Sequence, residues 1–206
     1  MKELSFDFLL VSLVVVVSPG IGVLYTVSTA LSRGSRAGLV AAFGCTVGIV
    51  PHMVAAIAGL AALLNASAVV FQTVRYLGVL YLLYLAWTTI REHGSLDVRG
   101  ASAKSSAGRV VLTAVLINLL NPKLTLFFFA FLPQFLSPHE AHPVVRMLIL
   151  SAVFMLMTFV VFAGYGLLAA LFRRTIITRP RVVTWMRRSI AGAFVVLAAK
   201  LALVER

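Results

Sequence analysis

Long apolar runs separated by short polar gaps make up most of this 206-residue chain. A transmembrane helix needs about 20 mostly apolar residues, and several runs meet that length. The six runs are Leu4–Leu31, Gly38–Leu64, Ala68–Ile90, Val110–Leu136, Val144–Phe172 and Val182–Val204. They are continuous rather than alternating and too long for barrel strands. The sequence therefore predicts an all-α membrane protein with six transmembrane helices.

The composition excludes the main soluble classes. Hydrophobic residues make up 61% of the chain and charged residues only 12%, whereas a soluble domain is about half apolar and about a quarter charged. The mean hydropathy is +1.04. A soluble enzyme, a disulfide scaffold and a disordered chain are all excluded. The single cysteine, Cys45, allows neither an internal disulfide nor a cysteine metal site.

The basic residues predict the orientation in the membrane. The net charge is +12, and the basic residues lie in gaps without interleaved aromatic residues, so nucleic-acid binding is not expected. Alternate gaps, together with the start of the sixth run, carry Arg33, Arg36, Arg91, Arg99, Lys104, Arg109, Arg173, Arg174, Arg179, Arg181, Arg187 and Arg188. Because basic loops stay in the cytoplasm, these gaps are predicted to lie inside and both termini outside.

A hydrophilic linker divides the chain into two halves of three runs each. Residues 1–206 are predicted to form one transmembrane domain, with a first repeat over 1–90, a cytoplasmic linker over 91–109 and a second repeat over 110–206. With an odd number of spans, a duplicated half must insert upside down. Inverted repeats of this kind are typical of secondary transporters, which work by alternating access.

The first run of each half is interrupted by a proline near its middle. The interruptions are Ser18-Pro19-Gly20 and Asn121-Pro122-Lys123. Proline breaks a helix, and Ser or Asn before proline favours the start of a new one, with that residue as N-cap. The predicted substrate-binding residues are therefore Ser18, Pro19, Gly20, Asn121, Pro122 and Lys123. A simple packing kink is the alternative for either proline.

The charges near these breaks suggest the substrate. Helix N-termini and Lys123 favour an anionic group such as a carboxylate. A lysine in the middle of a span indicates a functional role unless its side chain extends to the membrane surface. The acidic residues, none in the middle of a run, are Glu3, Asp7, Glu92, Asp97, Glu140 and Glu205. A neutral zwitterionic amino acid therefore fits better than a cation. Its ammonium group is expected to use free carbonyls at the ends of the first half-helices, with hydroxyls such as Ser18.

Two motifs resemble those of the lysine exporter (LysE/RhtB) family. They are Asn118-Leu119-Leu120-Asn121-Pro122-Lys123 and Phe131-Leu132-Pro133-Gln134-Phe135, and Ser18-Pro19-Gly20 and several glycines extend the resemblance over the whole chain. The resemblance implies a bacterial inner-membrane exporter of amino acids and their derivatives, driven by the proton gradient. Family members often have Pro-Gly-Pro in the first run, whereas Ile21 replaces the second proline here.

A stripe of small residues in the second run leads to a histidine. Gly44, Gly48 and His52 are spaced four residues apart on one helix face, and Ala55 and Gly59 continue the stripe. Such a stripe favours close packing against a neighbouring helix. His52 is then predicted to point into the bundle, where it either bonds to a backbone carbonyl or handles the transported proton.

Proton coupling needs a group that changes charge in the working range. Histidine is the side chain that does so without perturbation, and the runs contain no mid-membrane carboxylate. His52 is therefore the predicted coupling or gating residue. A buried lysine can also release a proton, so Lys123 is the rival.

Two other classes are weighed against a transporter. They are a membrane-embedded enzyme and a non-transporting assembly subunit. An enzyme needs a nucleophile–base pair or metal ligands at membrane depth, but His52 and Cys45 have no partner carboxylate in the runs. The spacing of His139, Glu140 and His142 does not match a zinc motif. We expect no enzyme activity, metal or cofactor; the partners are the lipid bilayer and a small-molecule substrate, and a homo-oligomer is left open.

Overall fold

The computed structural model describes residues 5–18, 20–64, 106–136 and 140–171, with isolated positions between 73 and 87 and between 188 and 199. All regular structure within these ranges is helical, which confirms the all-α prediction there. The α-helices are α1 (Phe6–Val17), α2 (Ile21–Arg33), α3 (Ser35–Val47), α4 (Val50–Leu64), α5 (Ala107–Leu119), α6 (Pro122–Leu126) and α7 (Pro143–Leu171). Most of the third and sixth predicted spans lies outside the described residues.

The described helices form continuous and bent candidate spans. Two segments are long and apolar enough to cross a membrane, Ser35–Gly59 with 25 residues and α7 with 29. Two pairs of shorter helical segments are long and apolar enough only when each pair is counted as one segment. These pairs are α1 with α2, bent by 53°, and α5 with Lys123–Phe135, bent by 56°. The described residues thus hold two candidate spans, or four if each bent pair counts as one. Both bends lie at the predicted proline breaks.

Helix α3 lies at the centre of the described bundle and packs against α2, α5 and α7. A Cβ on Gly44 would lie 2.7 Å from the Cβ of Ala114, and one on Gly48 would lie 2.8 Å from the Cβ of Asn118. The predicted close packing of this glycine face is therefore confirmed, and α5 is its neighbour. The face does not continue as far as predicted, because Ala55 is exposed.

An aromatic cluster fixes the chain that follows the second break. Helix α6 leads into a π-helical turn (Phe127–Phe131) and a 3-10 turn (Leu132–Phe135). The ring of Phe127 stacks on that of Phe154 in α7, with 4.0 Å between centroids. Phe135 packs edge-on against Phe8 in α1, with 5.3 Å between centroids. These contacts hold the second half of the bent pair between α1 and α7.

Candidate functional site

The second break has the predicted capping arrangement. Helix α5 ends at Leu119 and α6 begins at Pro122, with Asn121 as N-cap. The Asn121 side-chain oxygen accepts a hydrogen bond from the backbone N–H of Lys123 at 3.1 Å. Proline occupies the first helical position, where its missing N–H costs nothing. The break therefore follows from Asn121-Pro122-Lys123 as a local sequence.

The first break is built differently from the prediction. Helix α1 ends at Val17, and Ser18 is its C-cap, donating its N–H to the carbonyl of Val14 at 3.0 Å. Gly20, not Ser18, is the N-cap of α2, so the predicted N-cap role of Ser18 is wrong. A residue before proline is pushed into extended backbone, and Ser18 has φ −60° and ψ 125°. Pro19 lies outside the described residues.

Lys123 joins the two breaks. Its ammonium nitrogen donates to the backbone carbonyls of Val15 at 3.0 Å and Ser18 at 3.1 Å, and the side chain is 8% exposed. The last carbonyls of a helix lack intrahelical partners, and a cation near them is favourable. Lys123 thus stabilises the end of α1 through these two bonds.

Gly20 leaves room for this ammonium group. A Cβ on Gly20 would lie 3.0 Å from Nζ of Lys123. The N-cap of α2 and the cation of the second break are therefore in direct proximity. Of the six predicted substrate-binding residues, the structure brings together Ser18, Gly20, Asn121 and Lys123, while Pro122 starts α6 beside them.

Further side chains occupy the end of α1. The hydroxyl of Tyr165 in α7 donates to the carbonyl of Val17 at 2.8 Å. With Lys123 bonded to Val15 and Ser18, three carbonyls at this end already accept hydrogen bonds in this conformation. They are not the free acceptors that we expected for a substrate ammonium group. No sequence pattern predicts Tyr165 at this place, because it lies 148 positions from Val17.

His52 is buried beside the second break, with 6% of its surface exposed. Its Nε2 lies 2.9 Å from the carbonyl oxygen of Asn118, and its Nδ1 lies 3.3 Å from the hydroxyl of Thr125. That hydroxyl is also 3.5 Å from the carbonyl oxygen of Asn121. The predicted inward orientation is confirmed, and so is the bond to a backbone carbonyl. His52 therefore contacts one residue before Asn121 and one residue after it.

Asn118 is a hub that the sequence reasoning quoted only as part of a motif. Its side-chain nitrogen donates to the carbonyl of Cys45 at 2.5 Å, and its side-chain oxygen accepts from Asn121 at 3.4 Å. A Cβ on Gly22 would lie 2.7 Å from that same oxygen. Asn118 therefore links α2, α3 and the break. A buried amide within an apolar run was the available signal, because such a group needs partners.

Comparison with known proteins gives consistent matches over nearly the whole chain. The sequence profile of the LysE type translocator family matches residues 13–205. The homoserine/homoserine lactone efflux protein of Salmonella typhimurium is 30% identical over 200 residues, covering 97% of this chain and 96% of that protein. The leucine efflux protein of Enterobacter sp. is 32% identical over 197 residues, covering 91% and 90%. No solved structure matches significantly.

Proposed function

The chain belongs to the LysE type translocator family, whose members are membrane transporters and not enzymes, and we propose that it exports amino acids or close derivatives. In this proposal the protein spans the bacterial inner membrane. Support comes from relatives named for efflux of homoserine, homoserine lactone and leucine. Nothing favours the alternative of a membrane-embedded enzyme or an assembly subunit.

The proposed topology has six spans in two inverted three-helix repeats, with both termini outside. Its support is the pair of bent spans, α1 with α2 and α5 with Lys123–Phe135, each of which opens one half of the chain. The basic residues of alternate gaps support the orientation. Inverted repeats with discontinuous first helices place a transporter's substrate at the repeat interface, near the middle of the bilayer.

One observation carries the substrate proposal: the buried ammonium group of Lys123 lies where the two breaks meet. In the proposal, the substrate carboxylate binds this ammonium beside Gly20. The first N–H groups of α2 follow Gly20 and have no partners within the helix. A carboxylate held between them and Lys123 gains charge-assisted hydrogen bonds in a site shielded from water.

The same contact gives a route to alternating access. Lys123 is bonded to the carbonyls of Val15 and Ser18 in this conformation. A carboxylate competes with those carbonyls for the ammonium protons, so binding loosens the link between the two repeats. The bound substrate thereby favours a different arrangement of the breaks, which is the differential interaction that a conformational change requires.

The proton is proposed to use His52 and Thr125. In neutral His52, Nε2–H donates to the carbonyl of Asn118 and Nδ1 accepts from the Thr125 hydroxyl. In protonated His52, Nδ1–H donates to Thr125, whose own proton turns to the carbonyl of Asn121. Both charge states then keep their hydrogen bonds, and protonation changes a contact at the break. Lys123 remains the rival proton carrier.

A neutral zwitterion is the proposed substrate type. The acidic residues in the described ranges are Asp7, in the exposed first turn of α1, and Glu140, before α7. Asp7 is roughly 16 Å from Ser18 along α1, and Glu140 precedes α7, so we assign no carboxylate at the described site to a second positive charge on the substrate. Leucine and homoserine are the first compounds to test, because relatives are named for their efflux.

Transport by the purified protein in liposomes tests this function. Vesicles preloaded with unlabelled leucine or homoserine should accumulate the labelled compound by counterflow, and an imposed pH gradient should drive net transport. Liposomes with Lys123→Ala protein at the same density are the negative control. Equal uptake in both preparations, or none with any of the common neutral amino acids, would contradict the proposal.

A further inference from the structure

A cavity lies far from the breaks, at the other end of α2. It has a volume of about 380 Å³ and opens where the turn between α2 and α3 meets the start of α5. Its lining includes Ser32, Arg33, Arg36 and Ala107. Since a helix rises 1.5 Å per residue, Ser32 is roughly 18 Å from Gly20 along α2. The proposed substrate site does not reach this cavity.

The local backbone brings two arginines to one cavity. Arg33 is the last residue of α2, and Arg36 lies in the first turn of α3. Gly34 joins these helices with φ +89°, a left-handed value that favours glycine. Because of this tight turn, both arginines belong to the lining of the same space. Arg36 is exposed and Arg33 is half-buried.

Positive groups lie on one side of the cavity. An arginine in the first turn of a helix is unfavourable, because the positive end of the dipole is there, and Arg36 holds this position in α3. The N-terminus of α5 adds to the positive field, since Ala107 begins that 13-residue helix and lines the cavity. None of the described lining residues is acidic. An anion in the cavity would be attracted by Arg36 and by the N-terminus of α5.

We propose that this cavity binds the phosphate group of an anionic membrane lipid. Guanidinium groups match phosphate oxygens two at a time, which favours phosphate over a single point charge. The cavity also has an apolar side formed by Val40 and Val110, which suits a lipid better than a soluble ion. Its volume equals that of about a dozen waters, enough for a phosphate with its glycerol.

The position in the membrane supports a lipid as the source of the phosphate. Arg33 stands at the end of the first apolar run, where a span leaves the hydrocarbon. In the proposed topology this end is cytoplasmic, and basic pockets between helices on that side bind anionic headgroups. The inference uses the proposed orientation but not the proposed transport activity.

Lipid titration of the purified protein tests the site. Protein in neutral phosphatidylcholine nanodiscs is compared with protein in discs of rising phosphatidylglycerol content, and bound lipid is counted by native mass spectrometry. Each substitution removes a charge-assisted hydrogen bond from a guanidinium group to the phosphate. Arg36→Gln should therefore weaken phosphatidylglycerol binding about tenfold, and Arg33→Gln with Arg36→Gln about 100-fold. Arg109→Gln is the matched control, since Arg109 is in the same α5 turn but not in the lining.

Each outcome decides the proposal. Retained phosphatidylglycerol binding in the double variant, or an equal loss in Arg109→Gln, would overturn it. If inorganic phosphate saturates the site and displaces phosphatidylglycerol, the site binds a soluble anion. That result would contradict a lipid as the source of the phosphate. Melting temperatures in neutral discs check folding. If the double variant does not fold, Arg36→Gln carries the test, because that side chain is exposed.

Discussion

The ammonium group of Lys123 donates a hydrogen bond to the backbone carbonyl of Ser18 at 3.1 Å, although 105 positions separate the two residues in sequence. This bond connects the broken first helix of one half of the chain to the broken first helix of the other. A buried charge is costly unless it is paired and hydrogen-bonded. The contact therefore stabilises the fold and also holds a cation at the place where the proposed substrate binds.

Loss of the Lys123 charge should abolish export. Lys123→Ala should insert normally but reduce counterflow to the level of empty liposomes, because the described site loses its cation. Lys123→Arg should also be severely impaired, since a planar guanidinium is larger and directs its donors differently. Arg109→Ala, at an exposed site, controls for loss of a positive charge. Normal export by Lys123→Ala would limit the lysine to its structural role at the end of α1.

A methyl group on Gly20 should disturb the site without unfolding the protein. In Gly20→Ala the new Cβ would lie 3.0 Å from Nζ of Lys123, which can move because it ends a flexible side chain. The methyl group takes the place proposed for the substrate carboxylate, and losing one hydrogen bond between that carboxylate and Lys123 costs about 1.5–3 kcal/mol. Half-saturation in counterflow should therefore rise at least about tenfold, while the protein still folds. Gly108→Ala, where a Cβ meets nothing within 4 Å, is the control. An unaltered half-saturation would argue against a carboxylate site beside Gly20.

The two breaks show what local sequence does and does not determine. Asn121 and Pro122 act through neighbours one or two positions away, so their capping arrangement was predictable. Ser18 has the same local pattern but ends α1 instead of starting α2. The difference lies in Gly20, which supplies an alternative N-cap next to the long side chain of Lys123. A side chain at Gly20 would crowd Lys123, a contact with the other half of the chain that local sequence does not show.

The hydrogen-bond network around His52 was predictable only in part. The four-residue spacing of Gly44, Gly48 and His52 was sufficient to turn the histidine inward, because the glycine face packs on α5. Its partners were not predictable, since Asn118 and Thr125 lie 66 and 73 positions away. Sequence spacing identifies a face of one helix, whereas the identity of the facing side chains depends on helix packing.

The glycine face of α3 should be sensitive to added volume. In Gly44→Ala the new Cβ would lie 2.7 Å from the Cβ of Ala114 and 2.9 Å from Cα of Val111, so helices must separate. Overpacking of this kind costs about 1–3 kcal/mol, which should lower the melting temperature in detergent. Gly164→Ala, within α7 and with nothing within 4 Å of the new Cβ, is the matched control. Because alanine has a higher helix propensity than glycine, the melting temperature of Gly164→Ala should be unchanged or higher. A similar loss of stability in both variants would refute close packing as the cause.

The proposed topology predicts which loops an external reagent can reach. In a Cys45→Ala background, a cysteine at Ser67 should react in intact cells with an impermeant maleimide, because its gap carries no basic residue. A cysteine at Ser102, in the basic linker, should react only after the cells are permeabilised. Labelling after permeabilisation serves as the control for expression of both variants. The reverse pattern in intact cells would invert the proposed orientation.

His52 should be needed for coupling but not for exchange. His52→Gln keeps hydrogen-bonding groups beside Asn118 and Thr125 but cannot change charge. It should retain counterflow of the substrate and lose net transport driven by an imposed pH gradient. Thr125→Val should show the same defect, because protonated His52 then has no acceptor at Nδ1, whereas Thr125→Ser keeps the hydroxyl and should remain coupled. The measurement is net accumulation in liposomes with and without a gradient of one pH unit. Undiminished gradient-driven transport by His52→Gln would remove this residue from the proton path and leave Lys123 as the carrier.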